Sequence, residues 1–266
     1  MFALVKRRPV LAPSLPTSPP ATMMRTMFAD GPEATPGTAQ WWTARRDTRP
    51  ARNARSGSLN LDAIAAATLG IIEHEGLDAV TMRRVADELG TGAASLYRHV
   101  ASRDELLVVV ADKLLEGVGT SPAADLSWRE HCERAARGYR ALLLARPAVV
   151  ALLSRSQLLG PNSLRGRELM LRHLLAQDFP PALAVRTYLG LVHYVMGSVH
   201  VDDRSTKRRP ADRRALTALF AGLDRDDYPT VVELAGLLGG LEPDDEFEFG
   251  LQALLDGVAA ALERSR

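Results

Sequence analysis

Between residues 60 and 118, apolar residues recur at spacings of three and four, and helix-capping residues divide them into short groups. Asn60, Thr81 and Ser102 each stand where a side-chain oxygen can accept a hydrogen bond from a first helical turn. Gly90 stands where a helix would stop. The pattern predicts four helical pieces joined by very short connections.

The remainder of the chain is also predicted to be helical. Beyond a loop at 119–126, Pro, Gly and strongly polar runs separate the periodic segments. These segments are 127–145, 148–157, 163–177, 181–201, 212–223 and 245–264. No stretch has the strict alternation of a half-buried strand. We therefore expect an all-α protein.

The charge of the chain is unevenly distributed. The net charge is +1, but residues 1–60 carry nine Lys or Arg and only three Asp or Glu, so an acidic excess lies in the rest. A basic N-terminal segment suggests that this end of the chain binds an anion.

The single cysteine, Cys132, excludes an intramolecular disulfide and argues against a thiolate metal cluster. We expect neither a metal nor another cofactor.

The sequence predicts a cytoplasmic protein without membrane contact. No apolar run approaches the ~18 residues that a membrane span requires. The apolar stretch at the N-terminus is too short and too interrupted by Pro for a secretory signal. Met23, Met24 or Met27 could equally serve as the translation start in place of Met1.

Residues 1–57 are rich in Pro, Thr, Ala and Arg and show no periodicity, so we expect a disordered, Arg-rich N-terminal arm. Its segment "WWTARRDTRPARNAR" interleaves two Trp with five Arg. Such an arm can lie along phosphates or enter a minor groove. A solvated tail without a binding role is the alternative.

The segment "TGAASLYRHV" at 91–100 follows a predicted helix directly. Two predicted helices, 81–89 and 92–98, are joined by a two-residue turn, which is the spacing of a helix-turn-helix motif. In that motif the second helix enters the major groove with its N-terminal residues at the base edges. Gly92, Ala93 and Ala94 would let the backbone come close, and the Ala methyls can contact thymine methyl groups.

The polar residues of the same segment favour contact with the DNA backbone. Ser95 and Tyr97 carry hydroxyls that can donate to phosphates, and His99 and Arg103 lie just beyond them. Leu96 is expected to anchor the helix on the opposite side. A packed connector, with Tyr97 as a core residue whose hydroxyl reaches water, is the alternative.

The stretch "TMRRVADELGTGAASLYRHVASRDELL" closely resembles the DNA-binding domain of the tetracycline-repressor (TetR) family of bacterial regulators. The elements T-x-R-x-[VIL]-A, L-G and L-Y-x-H-[VF] stand in the family's spacing. The resemblance implies a three-helix helix-turn-helix DNA-binding domain at 58–104 and a helical ligand-binding and dimerisation domain at 105–266. The residues expected to contact DNA are Thr81, Arg83, Arg84, Gly92, Ala93, Ala94, Ser95, Tyr97, His99 and Arg103.

The C-terminal half resembles the ligand domain of the tetracycline repressor more weakly. Relatives in this family dimerise through a four-helix bundle, which implies a homodimer through helices at about 181–201 and 245–264. The alternative places both helices in the core of a monomer. Polar or aromatic residues that interrupt apolar helices are the predicted ligand contacts, namely Tyr139, Arg155, Gln157, Tyr188, His193 and His200.

The sequence therefore predicts a ligand-responsive DNA-binding regulator, most simply a repressor that a small hydrophobic effector releases from a near-palindromic operator. The drug–magnesium site of the tetracycline repressor needs a His and a Glu where this chain aligns Leu153 and Val201, so metal-chelated tetracycline is not the expected effector. A constitutive DNA-binding regulator is the first alternative. A helical enzyme with a basic head is the second, and the sequence lacks G-x-S-x-G, H-E-x-x-H and phosphate-loop motifs.

Overall fold

The computed structural model describes residues 34–47, 60–118, 125–147, 150, 152–153, 158–205 and 210–265; side chains are not described at 46–47, 201–205 and 210–211. By its contacts the chain divides into Met1–Thr35 and Pro36–Arg266, and the description below concerns the second unit.

Every regular element in the described part of the chain is helical, which confirms the predicted all-α class. A 3-10 turn at Leu77–Ala79 follows the second helix. The α-helices are α1 Ala39–Asp47, α2 Leu61–Glu75, α3 Met82–Glu88, α4 Ala93–Tyr97, α5 Arg103–Leu114, α6 Trp128–Leu144, α7 Pro161–Ala176, α8 Pro181–Ser205, α9 Pro210–Ala221, α10 Pro229–Glu233, α11 Ala235–Gly240 and α12 Pro243–Glu263.

Helix α1 corrects the expectation that all of 1–57 lacks structure. The Thr38 hydroxyl accepts a hydrogen bond from the Trp41 backbone N–H at 3.3 Å, and the Trp42 side chain is buried. Arg45 forms an ion pair with Glu105 of α5. These stabilising contacts are mostly long-range, and a single buried Trp creates no apolar periodicity that could have predicted the helix.

Helices α2, α3 and α4 form the head of the molecule, and α5 packs against them. Their shared core consists of aliphatic side chains with almost no exposed surface, namely Ile64, Ile71, Ile72, Val80, Val85, Leu96, Val100, Leu106 and Val110. The predicted caps are present, because Asn60, Thr81 and Ser102 each accept a hydrogen bond from the backbone N–H three residues later.

Helix α5 runs from the head into the body, which comprises α6 to α12. On the body side, Asp112 of α5 is buried, and its carboxylate accepts hydrogen bonds from the backbone N–H groups of Asn162 and Ser163 at 3.1 and 3.0 Å. The Asn162 side-chain amide donates a third, at 3.2 Å. A carboxylate on free N–H groups of a helix start is stabilised by charge and by hydrogen bonding. Asp112 therefore fastens α5 to the first turn of α7.

In the body, α8 packs against α6, α7 and α12, while α9, α10 and α11 pack chiefly against one another. None of the helices in the described ranges is long and apolar enough to cross a membrane.

A pair of histidines, the buried His131 and the half-buried His173, lies between α6 and α7. The rings of His131 and His173 are 4.3 Å apart between centroids, and the Nε2 atom of each is buried without a partner among the described residues. Burial, with smaller contributions from His173 and Arg134, lowers the pKa of His131. The neutral ring is therefore the form that the fold accommodates.

We expect the free energy of unfolding to fall as the pH drops below about 6.5, the ordinary pKa of histidine. Because the folded-state pKa of His131 is lowered, the unfolded chain binds more protons in this window, and protons favour unfolding. Urea unfolding at several pH values measures the slope. His131→Gln should flatten it relative to His74→Gln, which changes an exposed histidine of α2. Equal slopes in the two variants would contradict this role.

Candidate DNA-binding surface and ligand cleft

A tight turn joins α3 to α4. Gly90 has a φ of 63°, a left-handed conformation that glycine adopts without strain. Its N–H donates to the carbonyl of Asp87 at 3.1 Å, and the N–H of Thr91 donates to the carbonyl of Ala86 at 3.0 Å. These bonds close the end of α3 and start α4 at Ala93, so the spacing read from the sequence is present as a helix-turn-helix.

Helix α4 has one anchored side and one exposed side. Leu96 is fully buried, and Val100 just beyond the helix is almost so. Tyr97 is 53% exposed and Ala94 is exposed as well. An exposed aromatic side chain beside a fully anchored one disfavours the alternative in which Tyr97 belongs to the core. The exposed side presents a hydroxyl and small side chains, which suits close approach to a DNA backbone and base edges.

Sequence reasoning missed Arg98, which lies on this surface. Its guanidinium is exposed and donates to the Ser95 hydroxyl at 2.8 Å. The signal was available, since residues three apart on a helix are neighbours. Ser95 is half-buried, so its oxygen and the Arg98 cation form one polar group beside Tyr97.

The start of α3, the helix before the turn, carries three residues predicted to contact DNA, namely Thr81, Arg83 and Arg84. Thr81 is exposed and its hydroxyl caps α3 by accepting from the Arg84 N–H at 3.0 Å. Arg83 is exposed, and the described residues include no ion-pair partner for it. Arg84 instead forms ion pairs with Glu75 and Glu88, with N–O distances of 2.6 and 2.8 Å. Its hydrogen bonds to Glu75 lower the pKa of that carboxyl. Arg83 is thus the more available cation.

Two flanking residues, His99 and Arg103, take part in hydrogen bonds within the head. Arg103 donates to the carbonyls of Val80 and Leu77 at 2.6 and 2.9 Å, which ties the start of α5 to the 3-10 turn. The His99 side chain is half-buried, and its carbonyl accepts from Arg45 at 3.5 Å. The sequence could not show these bonds, because each partner lies 23 or more residues away.

The body contains a cleft between α5, α6, α7 and α8 that encloses about 680 Å³ of empty space, part of it open to solvent. Aliphatic side chains and Met170 supply most of its lining. Five residues with polar groups also line this central cleft, namely Tyr139, Asn162, Ser163, Arg167 and Tyr188. A concave, mostly apolar space with few polar groups is typical of a small-molecule site.

Two of the six predicted ligand contacts, Tyr139 and Tyr188, line the central cleft. The Tyr139 hydroxyl donates to the Met196 sulfur at 3.1 Å, and burial raises the pKa of Tyr139 to about 12. His193 and His200 are exposed on α8 and do not line the cleft. His193 stands two residues after the cleft-lining Leu191, and His200 stands five residues after the cleft-lining Val195, so both point away from the cleft.

The remaining two predicted contacts, Arg155 and Gln157, lie outside the described residues. Sequence reasoning missed Asn162, Ser163 and Arg167. The segment "LRGRELMLR" reads as a solvated charged face, and only the packing of α7 against α8 shows that Arg167 is the cation at the cleft.

Helices α8 and α12 each leave an apolar strip uncovered. Val185 and Leu189 are exposed on α8, and Phe249 on α12 is 76% exposed. We call these three side chains the outer face of α8 and α12. On the other side the two helices hold each other, since the Tyr194 hydroxyl donates to the Phe247 carbonyl at 2.7 Å and the two rings stack at 5.5 Å.

Two protein-family models match the chain, one in the head and one in the body. Residues 64–110 match the model described as bacterial regulatory proteins of the tetR family. Residues 121–262 match the model of the tetracyclin repressor-like C-terminal domain.

Among curated proteins, the chain is similar to the HTH-type transcriptional repressor DrrR1 of Streptomyces coeruleorubidus, with 32% identity over 85% of each chain. It is 30% identical to an HTH-type transcriptional regulator of Saccharopolyspora erythraea, over 86% of this chain and 94% of the relative. Among solved structures it is similar to the TetR family protein ActR of Streptomyces coelicolor in complex with actinorhodin. That match has a TM-score of 0.72, 32% identity, and covers 79% of this chain and all of ActR.

Proposed function

The chain belongs to the TetR family of bacterial regulatory proteins, and on that premise we propose that it is a homodimeric repressor that leaves its operator when a small molecule occupies the central cleft. The observation that carries the proposal is the combination of an exposed helix-turn-helix surface with a separate cleft joined to it by one helix, α5. Family and relatives alike are DNA-binding transcriptional regulators and not enzymes. We place its action in the cytoplasm, where a bacterial operator lies.

For DNA binding, we propose that α4 enters the major groove with Gly92, Ala93 and Ala94 leading. Tyr97, the Ser95–Arg98 pair and Arg83 then hold phosphates on either side. We assign Arg84 and Arg103 to the frame that presents this surface, because their guanidinium groups already bond within the head. The division of the chain predicted from the sequence, with 58–104 for DNA and 105–266 for ligand and dimerisation, is part of the proposal.

For assembly, we propose that the outer face of α8 and α12 pairs with its copy in a second protomer. Exposing the apolar side chains of Leu189 and Phe249 to water is unfavourable in free energy, and a four-helix bundle would cover them. A dimer also places two copies of α4 on successive turns of one DNA face, which requires a near-palindromic operator.

For regulation, we propose that an occupant of the central cleft acts on the head through α5. Asn162 and Ser163 line the cleft, and their backbone N–H groups bind Asp112 of α5. A ligand that moves the first turn of α7 therefore moves α5. Differential affinity of a few kcal/mol between two head positions is enough for release. The structure of ActR with actinorhodin supports a ligand-controlled regulator. A constitutive regulator is the alternative, in which no ligand of the cleft changes operator affinity.

We expect Tyr97→Ala to weaken operator binding roughly thirtyfold, because each protomer of the dimer loses a phosphate hydrogen bond worth about 1 kcal/mol. Electrophoretic mobility shift measures the affinity and thermal unfolding measures the fold. Tyr228→Ala is the matched control, since Tyr228 is 51% exposed but belongs to the turn before α10. A large loss of thermal stability in Tyr97→Ala with unchanged affinity would instead make Tyr97 a packing residue.

We expect Arg83→Ala to reduce the salt dependence of operator binding. Each phosphate contact contributes about 0.9 to the slope of log K against log salt concentration, so a dimer should lose about 2. Arg84→Ala is the comparison, because its cation is already paired with Glu75 and Glu88 and should change the slope little. An unchanged slope in Arg83→Ala would remove this residue from the phosphate contacts.

A further inference from the structure

Arg167 is a cation in the central cleft, and the described part of the chain brings no carboxylate within ion-pair distance of it. It lines the cleft from α7, in a wall that is otherwise mainly aliphatic and aromatic. No Asp or Glu of the described residues forms an ion pair with it, and the neighbouring carboxylate of Glu168 binds Arg172 at 2.7 Å. The segments 119–124 and 154–157, adjacent in sequence to the cleft-lining Val118 and Leu158, contain no Asp or Glu.

The guanidinium of Arg167 is also short of hydrogen-bond partners. One terminal nitrogen donates to the Leu158 carbonyl at 3.3 Å, a long bond. Its Nε is buried and has no acceptor among the described residues. Burying donor groups without acceptors costs free energy, and burying an unneutralised charge costs more. An occupant that supplies both an acceptor and a negative charge would remove both costs.

The aromatic side chains next to Arg167 define the rest of the occupant. The Arg167 guanidinium carbon lies 5.4 Å from the centroid of the Tyr188 ring, and Tyr139 lines the same cleft from α6. Aromatic rings and aliphatic walls favour a flat apolar body that can pack against them. A planar carboxylate matches the fork of a guanidinium with two parallel hydrogen bonds.

We propose that the effector of the central cleft is an aromatic anion whose carboxylate or phenolate binds Arg167 while its rings pack between Tyr139 and Tyr188. The inference rests on the proposed function, since it names the ligand class of the cleft that controls operator binding. It adds a negative charge to the small hydrophobic effector expected from the sequence.

The test compares two probes of the same shape, the anion anthraquinone-2-carboxylate and its neutral amide anthraquinone-2-carboxamide, by isothermal titration calorimetry with the full-length protein. We expect the carboxylate to bind about tenfold more tightly or better, because a charge-assisted hydrogen bond is replaced by a neutral one in the amide. Arg167→Met should abolish the preference and Arg167→Lys should keep part of it. Arg172→Met, which removes an exposed cation from the same helix, should retain the full preference.

Equal affinities for the two probes in the wild-type protein would overturn the inference without any variant. A preference that survives in Arg167→Met would overturn it as well, as would binding of neither probe at millimolar concentration. Operator binding of the ligand-free protein is measured in parallel. If the wild-type protein binds its operator and shows no charge preference, the ligand class is wrong and the DNA-binding function stands. If it binds no operator, the proposed function itself fails.

Discussion

Replacing Leu189 or Phe249 with Asp should convert the dimer into monomers and weaken operator binding about 100-fold or more. An Asp in the outer face of α8 and α12 would be buried unpaired in the dimer, which is strongly unfavourable. A monomer then binds one half-site, and the advantage of a second, intramolecular contact is lost. Sedimentation measures the mass, and mobility shift measures the affinity.

Leu175→Asp is the matched control for this experiment. Leu175 is 48% exposed, close to the exposure of Leu189, but it lies at the end of α7. It should leave both mass and affinity unchanged. If Leu189→Asp and Phe249→Asp remain dimeric with full operator affinity, the interface lies on another face of the body.

Replacing Asp112 with Ala should cost roughly 3 kcal/mol of the free energy of unfolding. Three N–H donors of Asn162 and Ser163 would lose a buried charged acceptor at the start of α7. Gly160→Ala should show a loss of the same origin, because a methyl group there would lie 2.2 Å from the Asp112 carboxyl carbon. Both variants are compared by urea unfolding at one protein concentration, since dimer stability depends on it.

The same substitution should uncouple ligand from DNA. With α5 released from α7, a probe bound in the cleft would change operator affinity less than it does in the wild-type protein. Asp104→Ala is the control, because this exposed carboxylate stands in the first turn of the same helix and should cost about 1 kcal/mol or less. Wild-type stability and coupling in Asp112→Ala would show that the head and body communicate elsewhere.

The parts of the fold that could be predicted are those encoded within a few residues. Asn60, Thr81 and Ser102 cap helices by bonding three residues ahead, and the Gly90 turn needs a residue that tolerates positive φ. Both signals are local, so the head was predicted nearly to its helix ends.

The parts that could not be predicted depend on contacts between distant segments. Helix α1 buries Trp42, and its Arg45 forms an ion pair with Glu105 of α5, sixty residues away. Arg103, which the sequence predicts at the DNA, donates hydrogen bonds to the carbonyls of Leu77 and Val80, and the sequence does not indicate these bonds.

The cleft shows the same limit. Tyr139 and Tyr188 stood out as aromatic residues with polar groups in apolar helices, and both line the space between α6, α7 and α8. Arg167 resembled its charged neighbours in sequence. Whether a helix cation faces water or a cleft is decided by the helix that packs beside it, and periodicity on one helix does not contain that information.

Selection of binding sites from random double-stranded DNA by the purified protein tests the central claim most directly. We predict enrichment of one near-palindromic sequence whose half-sites are one helical turn apart, or a multiple of it, with affinity that falls steeply with salt. We also predict that Tyr97→Ala selects the same sequence more weakly. Recovery of no enriched sequence, or of a single half-site without symmetry, would contradict a dimeric operator-binding repressor.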